Sequence, residues 1–178
     1  ARTELEAERD ATAERVGADE AAIFDAHIQF LEDPTIEAAV EGGIEDGRPA
    51  PVAVHDAFGE HIEQFEGMDG RMAERADDLR DVRDRLLRLL TGGDRVDLAA
   101  LPAGSVVVAE RLTPSETAQL DPDTVAGFAT VTGGRTSHAA IFARSLALPA
   151  VVGVGEALND IADGTEVVVD GETGEVLV

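Results

Sequence analysis

The stretch TGGRTSHAAIFARSLALPAVVG, Thr132 to Gly153, decides the fold, because its structural period changes twice. The β-branched run GFATV that leads into it, Gly127 to Val131, reads as a strand. Gly133 and Gly134 then let the backbone turn sharply and approach a ligand closely, which side chains would block. Thr136 or Ser137 can cap a helix that runs to about Leu148, and PAVVGV, Pro149 to Val154, reads as the next strand. Working outward, SVVVA (Ser105–Ala109), TEVVVD (Thr165–Asp170) and EVLV (Glu175–Val178) have the same strand character, and the turn DGETGE joins the last two as a hairpin. The acidic residues of that turn fail the spacing of a calcium loop. TPSE opens a further helix, with Thr113 and Glu116 matching a capping box and Pro114 at the first helical position. The second half of the chain is therefore expected to be α/β.

His138 falls in the first turn of the helix that follows the glycines. Orphan N–H groups and the helix dipole place partial positive charge there, which welcomes an anion and favours a neutral, nucleophilic imidazole. With Gly133, Gly134, Arg135, Thr136 and Ser137 beside it, His138 fits a residue that takes up a phosphoryl group, the dianion being held by N–H groups, hydroxyls and the guanidinium. A histidine that only satisfies a helix end fits the same spacing, and local chemistry leaves both readings open. The other histidines carry less. His55 and His61 are not at one-turn spacing, no HExxH occurs, and no metal site is expected. His27 shares a face with Phe24 and Leu31 and is expected to be a half-buried surface residue.

The first half is helical in period. Phe24, His27, Ile28 and Leu31 fall on one face, as do Val54, Phe58, Ile62 and Phe65, and then Ala76, Leu79, Val82, Leu86 and Leu90. Breaks are expected at Gly17, at Asp33-Pro34 as N-cap and first position, in GGIEDGRPAP (Gly42–Pro51), in GMDG (Gly67–Gly70) and at Thr91-Gly92-Gly93. Short connections between amphipathic helices predict an antiparallel bundle over residues 1–93, followed by the α/β part over 94–178.

Composition bounds the partners. The net charge of −23 over 178 residues argues against nucleic acid or an anionic membrane, since no basic patch is available. The apolar runs are too short to span a bilayer, and the absence of cysteine fits a cytoplasmic setting. All 14 basic residues are arginine. Many carboxylates with no lysine read as adaptation to high salt, where the Debye length falls to about 3 Å at 1 M, or as an ordinary acidic protein that docks a basic partner, and both can hold together.

GGRTSHAAIFARSLALPAVVG resembles the phosphohistidine signature of the swivelling domains of phosphoenolpyruvate (PEP)-utilising enzymes, shared by enzyme I of the sugar phosphotransferase system, pyruvate phosphate dikinase and PEP synthase. LTPSETAQL (Leu112–Leu120), AAIFDAHIQFLEDP (Ala21–Pro34) and ERADDLRDVRDRLLRLL (Glu74–Leu90) resemble enzyme I in particular, so the likeness covers essentially the whole chain. The resemblance implies a swivelling β/β/α-type phosphohistidine subdomain with an antiparallel four-helix bundle that docks the carrier protein HPr. It implies that His138 accepts phosphate from PEP on Nε2 and passes it to a histidine of HPr, and that Thr117 hydrogen-bonds and orients the ring. Arg135, Thr136 and Ser137 would adjoin the phosphate. His27, Gln29, Phe30, Asp33, Ile36, Arg75 and Arg80 would meet HPr. Pro34, Thr35 and Gln29 depart from the family's usual residues. Family members begin with a leading strand and part of the first helix not found here, and continue into a TIM-barrel domain that binds PEP and magnesium. The chain is thus expected to be a fragment with no cofactor of its own and an exposed sheet edge, from a protein that dimerises through the missing domain. The other readings are the swivelling domain of a dikinase or PEP synthase, and an HPr-docking module without chemistry.

Overall fold

The computed structural model describes residues 1–68, 71–94 and 97–178, and the chain divides into two compact units, Ala1–Val96 and Asp97–Val178. Among the described residues the first unit has five helices: α1 (Arg2–Arg15), α2 (Ala18–Leu31), α3 (Pro34–Glu45), α4 (Ala50–Glu66) and α5 (Arg71–Thr91). That is one more than a four-helix bundle. The boundary expected at Asp33-Pro34 separates two of the helices: the Asp33 carboxylate accepts the amides of Thr35 (2.8 Å) and Ile36 (3.3 Å), and Pro34 takes the first position, so α3 starts afresh after α2. The expected break at Gly67–Gly70 lies partly outside the described residues, with α4 ending at Glu66.

The periodic faces close on one apolar cluster. Ile36, Val54, Phe58, Ile62, Ala76, Leu79 and Val82 are buried together, with Phe30, Phe65 and Leu86 packed at the margin. Leu90, expected on the same face, is exposed because it lies in the last turn of α5. Helix α1 differs from the others: it buries only Leu5 and Thr12. Its remaining ties are ionic, to α2 through Arg2–Glu32 and Arg9–Asp25 (3.2 Å) and to α5 through two arginines. Arg85 of α5, 5% exposed, donates to Glu4 (2.9 Å) and Glu8 (2.6 Å), and Arg88 also reaches Glu4 (2.8 Å).

In the second unit a three-stranded parallel sheet has the order β1 (Ser105–Ala109), β2 (Val125–Thr130), β3 (Ala150–Val152), and β4 (Val168–Asp170) pairs antiparallel with β5 (Glu175–Leu177) as a hairpin. Helix α6 (Pro114–Thr117) is a single turn closed by the Thr113/Glu116 capping box, and α7 (His138–Ser145) follows β2. The central strand is covered on both faces, as parallel sheets require. Phe128 packs with Leu112, Leu120, Ala139, Ala143 and Leu148, whereas Ala129 and Val131 face Leu158, Ile161 and Val176. No helix of the described residues is long and apolar enough to cross a membrane.

Candidate functional site

Helix α7 begins later and ends earlier than the sequence pattern predicts. Its N-cap is Ser137, whose hydroxyl accepts the Ala140 amide at 3.4 Å, while the Ser137 amide donates to Gly134 O at 3.0 Å. Ser137, and not Thr136, is therefore the cap, and His138 is the first helical residue. At the other end Ala147 takes φ 53° and the Leu148 amide returns to Ala143 O at 2.8 Å, which closes the helix before Pro149. The buried face of α7 carries Ala139, Ala140, Phe142 and Ala143, leaving His138 half-buried at the rim.

The loop that delivers His138 leaves the carboxyl end of β2, the end of a parallel sheet where ligands gather in α/β folds. Gly133 has φ +117°, a value that favours glycine. The loop after β3 presses on it: a Cβ on Gly153 (φ +72°) would stand 2.7 Å from Gly133 O. Gly134 has open space where a side chain would be, and Gly133, Gly134, Arg135 and Thr136 are exposed. Hydroxyls pin the loop stem, Thr130 Oγ1 donating to Thr132 O (2.7 Å) and Thr132 Oγ1 to Glu110 O (3.0 Å). Two arginines that the sequence reading did not single out also meet this loop. Arg111 Nε donates to Thr132 Oγ1 (3.4 Å), and Arg144 Nη1 donates to Arg135 O (3.2 Å).

Thr117 is fully buried at the end of α6, which packs against α7. Its hydroxyl proton goes to Thr113 O at 2.7 Å, so what it offers to a neighbour is a lone pair. A cavity of about 300 Å³ between Gly104–Val108 and Ile161–Val167 contains none of these residues. Among the described residues no cluster of three or more His, Asp or Glu could hold a metal ion.

The helical candidates separate by burial. His27 is fully buried, not a half-exposed surface residue: its ring sits edge-on to Phe24 (5.7 Å between centroids), with Nε2 3.7 Å from Asp78 and Nδ1 3.9 Å from Asp81, both carboxylates being buried themselves. Ile36 is buried in the apolar cluster. Neither can touch a partner from the surface, so both leave the docking set. Gln29 and Arg75 are exposed, and Phe30, Asp33 and Arg80 half-exposed. Phe30 stacks edge-on against Phe65 (6.5 Å) with the Arg75 guanidinium 6.0 Å from its ring centre, and Arg80 pairs with Asp77 (2.8 Å) and Glu66. The Asp33 carboxyl is held below the usual carboxylate range, first by the Thr35 amide, against a smaller opposing effect of burial.

Residues 1–75 match the family model described as PEP-utilising enzyme, N-terminal, and residues 101–174 match the PEP-utilising enzyme, mobile domain. A phosphoenolpyruvate-protein phosphotransferase of Haloferax volcanii is 71% identical over 178 residues, covering 100% of this chain and 32% of the relative. One from Staphylococcus carnosus is 43% identical over 179 residues, covering 99% and 31%. The chain thus spans about a third of the length of the curated relatives it matches. A solution NMR structure of Enzyme I is 40% identical with a TM-score of 0.72, covering 99% of this chain and 72% of that one. The N-terminal domain of Enzyme 1 - Nitrogen is 30% identical with a TM-score of 0.60 over the same shares.

Proposed function

The chain belongs to the PEP-utilising enzymes of the enzyme I type, and from that premise we propose that it is a phosphoryl relay of the sugar phosphotransferase system, with His138 the residue that carries the phosphate. The observation that carries this reading is the placement of His138 as first residue of a Ser137-capped helix, directly after an exposed Gly-Gly-Arg loop at the carboxyl end of β2. Nothing but alignment and charge is asked of the protein. Nε2 attacks phosphorus; the bond from phosphorus to the enolpyruvate oxygen breaks as the N–P bond forms, and the enolate leaves and takes a proton to give pyruvate. Orphan amides of α7 and the Arg135 guanidinium receive the dianion. Thr117 orients the ring. The second transfer, to a histidine of HPr, reverses the roles: the imidazole becomes the leaving group.

On this reading magnesium and PEP binding lie outside the third of the relatives' length that the chain spans, and no step here runs through the metal. HPr docks on the helical unit, at the surviving surface set Gln29, Phe30, Asp33, Arg75 and Arg80, and the whole protein is a cytoplasmic homodimer. Incubating the chain with phosphorylated HPr and measuring intact mass tests the reading. One acid-labile phosphate, absent in His138→Ala, is the expected result. A folded chain that binds HPr but takes up no phosphate would replace the relay by a docking module.

A further inference from the structure

The second unit contains three arginines, Arg111, Arg135 and Arg144, in a stretch otherwise rich in Asp and Glu. All three converge on one loop. They come from separate places in the chain: Arg111 follows β1, Arg135 lies in the loop after β2, and Arg144 stands in the last turn of α7. An arginine in a last turn ordinarily serves the carbonyls of its own helix end. Arg144 does the opposite. Its side chain runs back along α7, in the direction helical side chains lean, and donates to Arg135 O in front of the helix. Arg111 meets the same loop at Thr132 Oγ1.

A loop with two glycines gains conformational entropy whenever it is released, so it needs ties from outside to stay in one shape. In a chain of net charge −23 it also needs local cations before an anion can approach. We propose that Arg111 and Arg144 are positioning residues for phosphoryl transfer at His138: they fasten residues 132–135 and, with Arg135, make the rim of the site the cationic spot of the second unit. This rests on the relay reading of His138. The two arginines do not form or break a bond. They fix the amides and the guanidinium that receive the phosphoryl dianion, and they offset the repulsion it meets from the surrounding carboxylates.

The test uses the 178-residue chain with phosphoramidate, a small anionic phosphoryl donor that needs no carrier protein. Arg144→Gln and Arg111→Gln should each slow phosphorylation of His138 by about tenfold, the worth of one charge-assisted hydrogen bond, with the far-UV CD and melting temperature of the parent. Arg144→Lys should recover part of the rate, since it keeps the charge but not the planar fork. Raising salt from about 0.1 to 1 M should shrink the advantage of the parent over either Gln variant, because the Debye length falls from about 10 to about 3 Å and screens the attraction that the arginines supply. Parent-like rates and parent-like salt slopes in both Gln variants would overturn the proposal. If the parent itself takes up no phosphate, the relay reading fails separately, and inorganic phosphate then decides the arginines: amide shifts at residues 132–138 that vanish in Arg144→Gln sustain them, and a parent with no such shifts refutes them.

Discussion

Replacing Arg85 by methionine should loosen α1 in the helical unit without unfolding the rest, the exposed pairs Arg2–Glu32 and Arg9–Asp25 to α2 being left in place. Helix α1 buries only Leu5 and Thr12, so its apolar anchor amounts to about one leucine side chain, roughly 1.5–3 kcal/mol. The ionic tie is of similar size. Arg85 is 5% exposed and its partner Glu8 has a side chain 17% exposed, so the substitution leaves Glu8 and Asp81 without their buried counter-charge. Removing one member of a buried pair costs about 3–5 kcal/mol, whereas the Glu4 arm, at 39% exposure, counts as a surface pair worth below about 1 kcal/mol. Taking about 3 kcal/mol, the opening equilibrium of α1 rises by roughly a hundredfold. Hydrogen exchange read on residues 2–15 should accelerate by that factor, with residues 97–178 unchanged. Acid should do part of the same work. Burial pushes the Glu4 carboxyl up, but Arg88 and Arg85 outweigh it and hold it below its usual range. Its stabilisation is therefore present above the ordinary carboxylate value and lost as pH falls through the depressed one. The variant, lacking one of those cations, should respond less to acid. Protection of α1 within about threefold of the parent would refute the claim that this helix is held ionically, since that corresponds to under about 1 kcal/mol.

Thr117→Val keeps the shape of a fully buried side chain and removes its oxygen, so it should lower the phosphorylation rate of His138 by about tenfold while Thr117→Ser restores most of it; equal rates would sink the orienting role. Gly153→Ala puts a Cβ 2.7 Å from Gly133 O at φ +72°, and should cost about 1–3 kcal/mol in urea unfolding and broaden the amide signals of residues 132–135. Asp33→Ala should cost about 1 kcal/mol by removing the α3 cap. The Asp33 carboxyl titrates below its usual range, so the parent should lose this increment as pH falls through that depressed value, whereas Asp33→Asn should keep much of the cap and lose the acid dependence.

What the sequence makes legible here is what lies close along the chain. The Thr113/Glu116 box and the Asp33-Pro34 start are three-residue matters, and both stand as their residue types dictate. The face of His27 is legible too, since Phe24 and Leu31 share it. Its depth is not, because Asp78 and Asp81 read as solvated charges on a different helix until α2 and α5 pack and bury all three. Strand ends shift for a similar reason. TEVVVD has strand propensity from Thr165, yet β4 begins at Val168, where Leu177 of β5 is available to pair. Around His138 the loop and its neighbours follow from the motif, but Arg144 looks like any polar residue at a helix end. Its reach to Arg135 O is a matter of rotamer, not of spacing. The signal that would have found it is compositional: besides Arg111 and Arg135, it is the remaining basic side chain between residues 97 and 178 apart from His138.

The hydrogen bond from Thr117 to Thr113 O has a reach beyond the single turn that contains it. With its proton committed, Thr117 could meet an imidazole only as acceptor, so if it orients His138 as proposed, the ring nitrogen turned toward it must carry the hydrogen. The opposite nitrogen is then left as the one with a lone pair. A main-chain carbonyl in the first turn of α6, which never meets phosphate, would thereby choose the tautomer of the nucleophile and decide which of two chemically similar nitrogens reacts.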